Sequence, residues 1–146
     1  MTDKKIKQSV FRNAKLDDVS KHLRDKIFGT YAKVLTFAAY CGIHNNLSEP
    51  LASKNRISDP IKKIIFDNEN LLEHIYAIAF IANNKDASVL KNEGLCFELF
   101  ENYANGGLKY VNDLLQDNPR DTDGVETIMT LVKEINSENI EDIYSK

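Results

Sequence analysis

The 146-residue chain has only two cysteines, Cys41 and Cys96, with no motif spacing between them. Both lie inside apolar stretches, so the expectation is two buried free thiols in a reducing compartment, not a disulfide or a thiolate metal site. No apolar run approaches the about 20 residues that a membrane-crossing helix needs. The amino terminus, Met1-Thr2-Asp3-Lys4-Lys5, continues polar without an apolar stretch and small-residue cleavage site, so no secretory signal is read there. A cytoplasmic protein with no membrane partner is expected. Three prolines and six glycines are too few for a low-complexity chain, and 42% hydrophobic with 28% charged residues is globular composition. At this length the chain reads as one domain with a core of its own.

The signatures of chemistry are also missing. The three histidines, His22, His44 and His74, have no HExxH spacing and no paired-cysteine knuckle beside them, so no metal ligand is assigned. A Cys41–His dyad is set aside because Cys41 lies on an apolar helical stripe, where thiols are inert. Serine-nucleophile motifs, a phosphate-cradling loop and a dinucleotide fingerprint do not occur. The pair Gly106-Gly107 is followed by no Lys-Ser/Thr and preceded by no strand. Glu49 stands in an otherwise basic loop and reads as an acid paired with Lys54 or Arg56. No catalytic residue and no cofactor are assigned, and the chain reads as a non-enzyme.

What the sequence does contain is helical periodicity. Leu16, Val19, Leu23, Ile27 and Phe28 recur at helical spacing, with Asp17 and Asp18 in the first turn and Gly29 as a stop. Thr30 caps a helix over 31–43 whose stripe is Val34, Phe37, Ala38 and Cys41. A loop of about fourteen residues follows, long for a small domain. Ser58-Asp59-Pro60 opens a short helix over 61–66, and a nearly all-apolar helix is expected over 69–83. The 93–116 pattern is amphipathic but interrupted by Gly106-Gly107. Two glycines cost about 2 kcal/mol inside a helix, so either a break or a tight contact with another backbone is expected there. Asp123 and Glu126 resemble a capping box before a last stripe of Val125, Ile128, Met129, Val132 and Ile135. Sustained alternation is absent, so strands have little support. The expectation is an all-α, compact, single-domain bundle of six to seven helices around two buried central ones, over 31–43 and 69–83. Residues 1–15 would be a basic flexible arm, 16–136 the helical domain and 137–146 a short acidic helix or tail.

Charge is divided along the chain. Residues 1–66 hold thirteen Lys/Arg against six Asp/Glu, and residues 67–146 hold six against sixteen. Lys54, Arg56, Lys62 and Lys63, joined by Lys33, form a candidate nucleic-acid contact. Lys62 and Lys63 follow Pro60 at a helix start, where ammonium groups and backbone N–H groups can hold phosphate together. No recognition-helix signature or aromatic stacking platform accompanies them.

Several strings occur in order: Phe37-Ala38-Ala39-Tyr40-Cys41-Gly42, Glu49-Pro50-Leu51, Ile57 with Pro60-Ile61, Ile65-Phe66, and Tyr103-Ala104-Asn105-Gly106-Gly107-Leu108. Together, over roughly residues 20–115, they resemble a family of small bacterial proteins associated with DNA phosphorothioation (Dnd-type) modification and restriction loci. Tyr40-Cys41 and His44-Asn45-Asn46 depart from the more alanine-rich family phrase. The resemblance implies an accessory role in antiphage or genome defence, beside a larger ATPase, helicase or nuclease subunit, and no chemistry for this chain. It implies that Gly42, Gly106 and Gly107 are turn or close-packing positions and that Glu49 and Pro50 shape the loop. Two readings follow: a non-enzymatic adaptor that binds such a partner and touches double-stranded DNA, or a direct DNA-binding protein, alone or as a homo-oligomer.

Overall fold

Gly29 marks the first boundary: with φ +90° it takes a left-handed conformation that ends the preceding helical segment. In this computed structural model, which describes residues 6–144 (side chains as far as Asn136), that segment is composite. A 3₁₀ turn at Ala14–Leu16 leads into α1 (Asp17–Leu23), and one π turn spans Arg24–Phe28. Thr30 then accepts the Lys33 N–H and starts α2 (Tyr31–His44). A loop with one 3₁₀ turn at Ser53–Asn55 follows. The chain continues through α3 (Lys63–Asn68), α4 (Leu72–Ala82), a 3₁₀ turn at Ala87–Lys91, α5 (Glu93–Asp117) and α6 (Val125–Tyr144). The fold is an all-α bundle, and α6 runs on through the residues expected to form a separate tail.

The two central helices are α2 and α5. On α2, Ala32, Val34, Leu35, Ala38, Ala39 and Cys41 are buried; on α5, Cys96, Phe97, Phe100, Ala104, Leu108 and Val111 are buried. The apolar 69–83 segment was expected to be the second central helix. As α4 it buries only Ile75, Ile78 and Ala79, and Ile81 is exposed. Its surplus of apolar residues exceeds the core surface available to it, whereas α5 comes closer to α2 because of its small residues.

Gly106-Gly107 is a tight contact, not a break: α5 passes through both without interruption. A Cβ on Gly107 would overlap the Ala38 carbonyl and lie 2.7 Å from the Gly42 nitrogen. One on Gly106 would overlap the Leu47 carbonyl, and one on Gly42 would overlap that of Tyr103. The helix-propensity cost of two glycines is accepted because only they let α2 and the loop after it lie on the α5 backbone. The long loop is therefore clamped. Glu49 N–H donates to the Asn102 carbonyl at 3.0 Å, and Asn105 Nδ2 donates to the Glu49 carbonyl at 3.0 Å.

Two further findings depart from the sequence reading. Ser9–Val10 (β1) pairs antiparallel with Ile61–Lys62 (β2), Ser9 opposite Lys62 and Val10 opposite Ile61. Residues 6–13, placed in the flexible arm by composition, thus form a strap on the bundle. Val10 is fully buried, and buried Glu101 of α5 accepts the Phe11 N–H at 2.7 Å and pairs with Lys7 at 2.8 Å. Strands of two residues are too short to show as alternation, and one buried valine is too little to mark a core segment. At α6 the capping is done by Asp121, whose carboxylate accepts the Thr127 N–H and hydroxyl, both at 2.8 Å, while Asp123 accepts the Val125 N–H at 3.1 Å.

Candidate nucleic-acid interface

The β1–β2 pairing sets the site. It lays residues 7–13, rich in cations for no reason visible in periodicity, beside residues 56–63. Ile57 N–H donates to the Arg12 carbonyl and Lys63 N–H to that of Gln8, both at 2.9 Å. Asn13 and Arg56 form an isolated bridge, and Asn13 Nδ2 also donates to Asn105 Oδ1. Arg56 thereby stands with Lys7 and Lys62 with Arg12, each about fifty residues away in sequence.

Two aromatic rings organise the cations. Lys7 Nζ and Arg56 Cζ lie 5.1 and 4.7 Å from the centre of the Phe11 ring, and Arg12 Cζ and Arg24 Cζ lie 3.6 and 4.6 Å from that of Tyr31. Such cation–π contacts hold guanidinium groups at the surface without neutralising them. A cleft of about 470 Å³ is lined by Arg12, Arg24, Tyr31 and Lys62, with Ile65 in its wall and the acids Asp59 and Glu69 at its side.

Acids nonetheless neutralise part of the cluster. Arg12 pairs with Asp17 and Arg24 with Asp25, each at 2.8 Å, through a single donor; the guanidinium of each has four N–H donors beyond that one. Lys63 pairs with Glu93 at 2.6 Å. The hydrogen bond to Glu93 holds the Lys63 ammonium above its usual range, and the same bond holds Glu93 below the ordinary carboxylate range. Lys63 is therefore the least available of the five expected contacts. Among the described residues no acid pairs with Lys33, Lys54, Arg56 or Lys62, all of which are exposed.

Of the five residues read from the sequence, Arg56 shares the Phe11 ring with Lys7, Lys62 lines the cleft with Arg12 and Arg24, and Lys63 is turned to Glu93. Lys54 stands in the 3₁₀ turn just before Arg56. Lys33 is in the first turn of α2, next to the cleft residues Thr30–Ala32, and is not among the residues that line the cleft. Sequence reasoning missed Arg12 and Arg24 with Tyr31, and Lys7 with Phe11. The Phe11-Arg12 dipeptide was the available signal, hidden by the assignment of the segment to an arm.

The other candidates are structural. Glu49 reaches Lys109 of α5 at 3.5 Å, not Lys54 or Arg56, because Gly106 draws its loop onto α5. His22 Nε2 bonds the Asp123 carbonyl at 2.9 Å, and His74 Nδ1 bonds the Tyr40 hydroxyl at 2.7 Å. Among the described residues no group of three or more His, Cys, Asp or Glu could hold a metal ion. Burial, with a smaller contribution from Glu134, pushes the Cys41 thiol up to about 12, and burial also raises that of Cys96. Both thiols are expected to resist a chromogenic disulfide reagent in the native protein at neutral pH and to react on unfolding, as spectrophotometric titration with and without denaturant would record.

No helix among the described residues is long and apolar enough to cross a membrane. No curated protein and no solved structure matches the chain. A family model described as DNA sulphur modification system-associated protein 4 matches residues 13–145, a longer span than the strings that suggested such a kinship. With nearly its whole length covered, from the end of the strap to the end of α6, the chain belongs to the family of DNA sulphur modification system-associated protein 4.

Proposed function

We propose that the chain is a non-enzymatic accessory protein of a DNA sulphur modification system, working in genome defence beside a larger ATPase, helicase or nuclease subunit. In this reading it lays the face around Arg56 and Lys62 on double-stranded DNA. The observation that carries the DNA contact is the convergence of cations from two distant segments onto Phe11 and Tyr31, with Arg56 and Lys62 free of acid partners among the described residues. Exposed, unneutralised cations on a surface held by backbone pairing suit phosphate positioning without base reading. An accessory role suits a chain in which His22 and His74 are held in hydrogen bonds and both cysteines are buried.

Fluorescence anisotropy of a labelled duplex of about 30 base pairs tests the DNA contact, because phosphate binding weakens linearly on a log–log plot against salt. Binding at low salt is expected. Arg56→Glu and Lys62→Glu should each weaken it and shallow the salt slope by about 1, while Lys63→Glu should do less because Lys63 is held by Glu93. A duplex left unbound even at low salt would remove the DNA contact by the isolated chain. Purification of the tagged chain from a host with the intact modification locus tests the partner: a co-purifying ATPase, helicase or nuclease is expected, and none would overturn the adaptor role.

A further inference from the structure

The helix α6 has two apolar rows. Ile128 and Leu131 form the buried one, with Ile135 packed at its edge. Val125, Met129 and Val132 form the other and are 37%, 52% and 39% exposed. Their spacing of four and then three residues is that of a helix-pairing seam. Beside that seam, on the side away from the core, stand Glu126 and Lys133. They are seven residues apart, so they share one rotational position two turns from each other. Both are exposed, and among the described residues neither has an ion-pair partner.

This pattern is complementary to itself. When two copies of a helix pack antiparallel about a twofold axis, like flanks meet and facing residue numbers add to a constant. An axis at Met129 places Met129 against Met129 of the second copy, and Val125 then lies about 1.5 Å along the helix axis from its Val132, within side-chain contact. The same register brings Glu126 within about 1.5 Å, along the axis, of the level of its Lys133, a gap that two long side chains span, and it does so twice by symmetry. One register thus satisfies the apolar seam and the charges together. Parallel packing would set the charged flank of one copy against the Val125–Val132 flank of the other.

We infer that α6 is a self-association surface whose occupant is a second copy of this chain, packed antiparallel about Met129. The inference stands apart from the DNA contact, which uses the opposite end of the sequence. The seam is short, so the interface falls at the small end of the range and the dimer dissociates on dilution.

Sedimentation equilibrium of the full chain over a wide concentration range tests it, with far-UV circular dichroism to show that each variant is folded. The wild type is expected to show a monomer–dimer equilibrium, and Met129→Glu, at an exposed position, to be a folded monomer. Glu126→Lys and Lys133→Glu alone each turn two attractive pairs into repulsive ones and should weaken association about tenfold. Mixed in equal amounts, these two variants regain opposite charges at both contacts and should associate with wild-type strength. A wild type that stays monomeric throughout overturns the inference, as does a Met129→Glu variant that still dimerises. A mixture no stronger than its components rules out the antiparallel register and overturns it equally.

Discussion

Replacing Gly107 with alanine is expected to destabilise the protein by more than about 3 kcal/mol, enough to leave a domain of ordinary stability largely unfolded in mild denaturant. The sign is the informative part. Alanine is the better helix former by about 1 kcal/mol, so if α5 stood alone the change would stabilise it. At Gly107 the new methyl would overlap the Ala38 carbonyl and crowd the Gly42 nitrogen, both of them α2 backbone. Backbone within a helix cannot turn aside as a long side chain can, so α2 and α5 must separate and the core between Ala38, Ala39, Ala104 and Leu108 opens. Gly94 is the internal control. It lies in the first turn of the same helix, where a Cβ would meet the Lys7 nitrogen at 3.5 Å, ordinary contact, and alanine there should be neutral or slightly stabilising. Urea denaturation of the two variants gives the comparison directly. Equal effects would mean that propensity, not close approach, keeps glycine at Gly107.

The same glycines show what the sequence could and could not reveal. Periodicity located α2, α5 and α6 because each buries a stripe at helical spacing, and caps such as Thr30 fixed their starts. The Gly106-Gly107 pair left two outcomes open, since a glycine that breaks a helix and one that admits a neighbouring backbone look alike until that backbone is placed. Residues 69–83 misled because hydrophobicity reports what a segment could bury, not how much partner surface it will find. The basic surface was half legible. Arg56, Lys62 and Lys63 are close in sequence and were visible as a cluster, but Arg12 and Arg24 join them through a two-residue β pairing and the ring of Tyr31. Contacts of that kind are long-range and depend on single side chains, which no local pattern encodes. Glu93, thirty residues from Lys63, was invisible for the same reason, whereas Asp17 and Asp25 stand within five residues of the arginines they pair with.

Glu101→Ala is the second substitution expected to have a large effect, because Glu101 fastens the strap on which the basic surface depends. Its carboxylate is buried on α5, accepts the Phe11 N–H at 2.7 Å and pairs with Lys7 at 2.8 Å. Removing it leaves a backbone donor without a partner beneath the strap and an ammonium without a counter-charge. An uncompensated buried pair costs about 3–5 kcal/mol, but Lys7 is 25% exposed and water screens part of the loss. A destabilisation of about 2–3 kcal/mol is therefore expected. Glu101→Gln keeps an oxygen to accept the Phe11 N–H and loses only the charge, so about half that effect is expected. The loss should be local before it is global. Hydrogen exchange of the Val10, Phe11 and Lys63 amides should accelerate at denaturant concentrations that leave the centre of α2 and α5 protected, because β1–β2 is held to the bundle mainly through α5. If strap and central helices lose protection together, the strap is an integral part of the cooperative core. If only the strap opens, Arg12 and Arg56 lose their fixed places beside Lys62 while the bundle stays folded, and any phosphate contact they make should weaken with it.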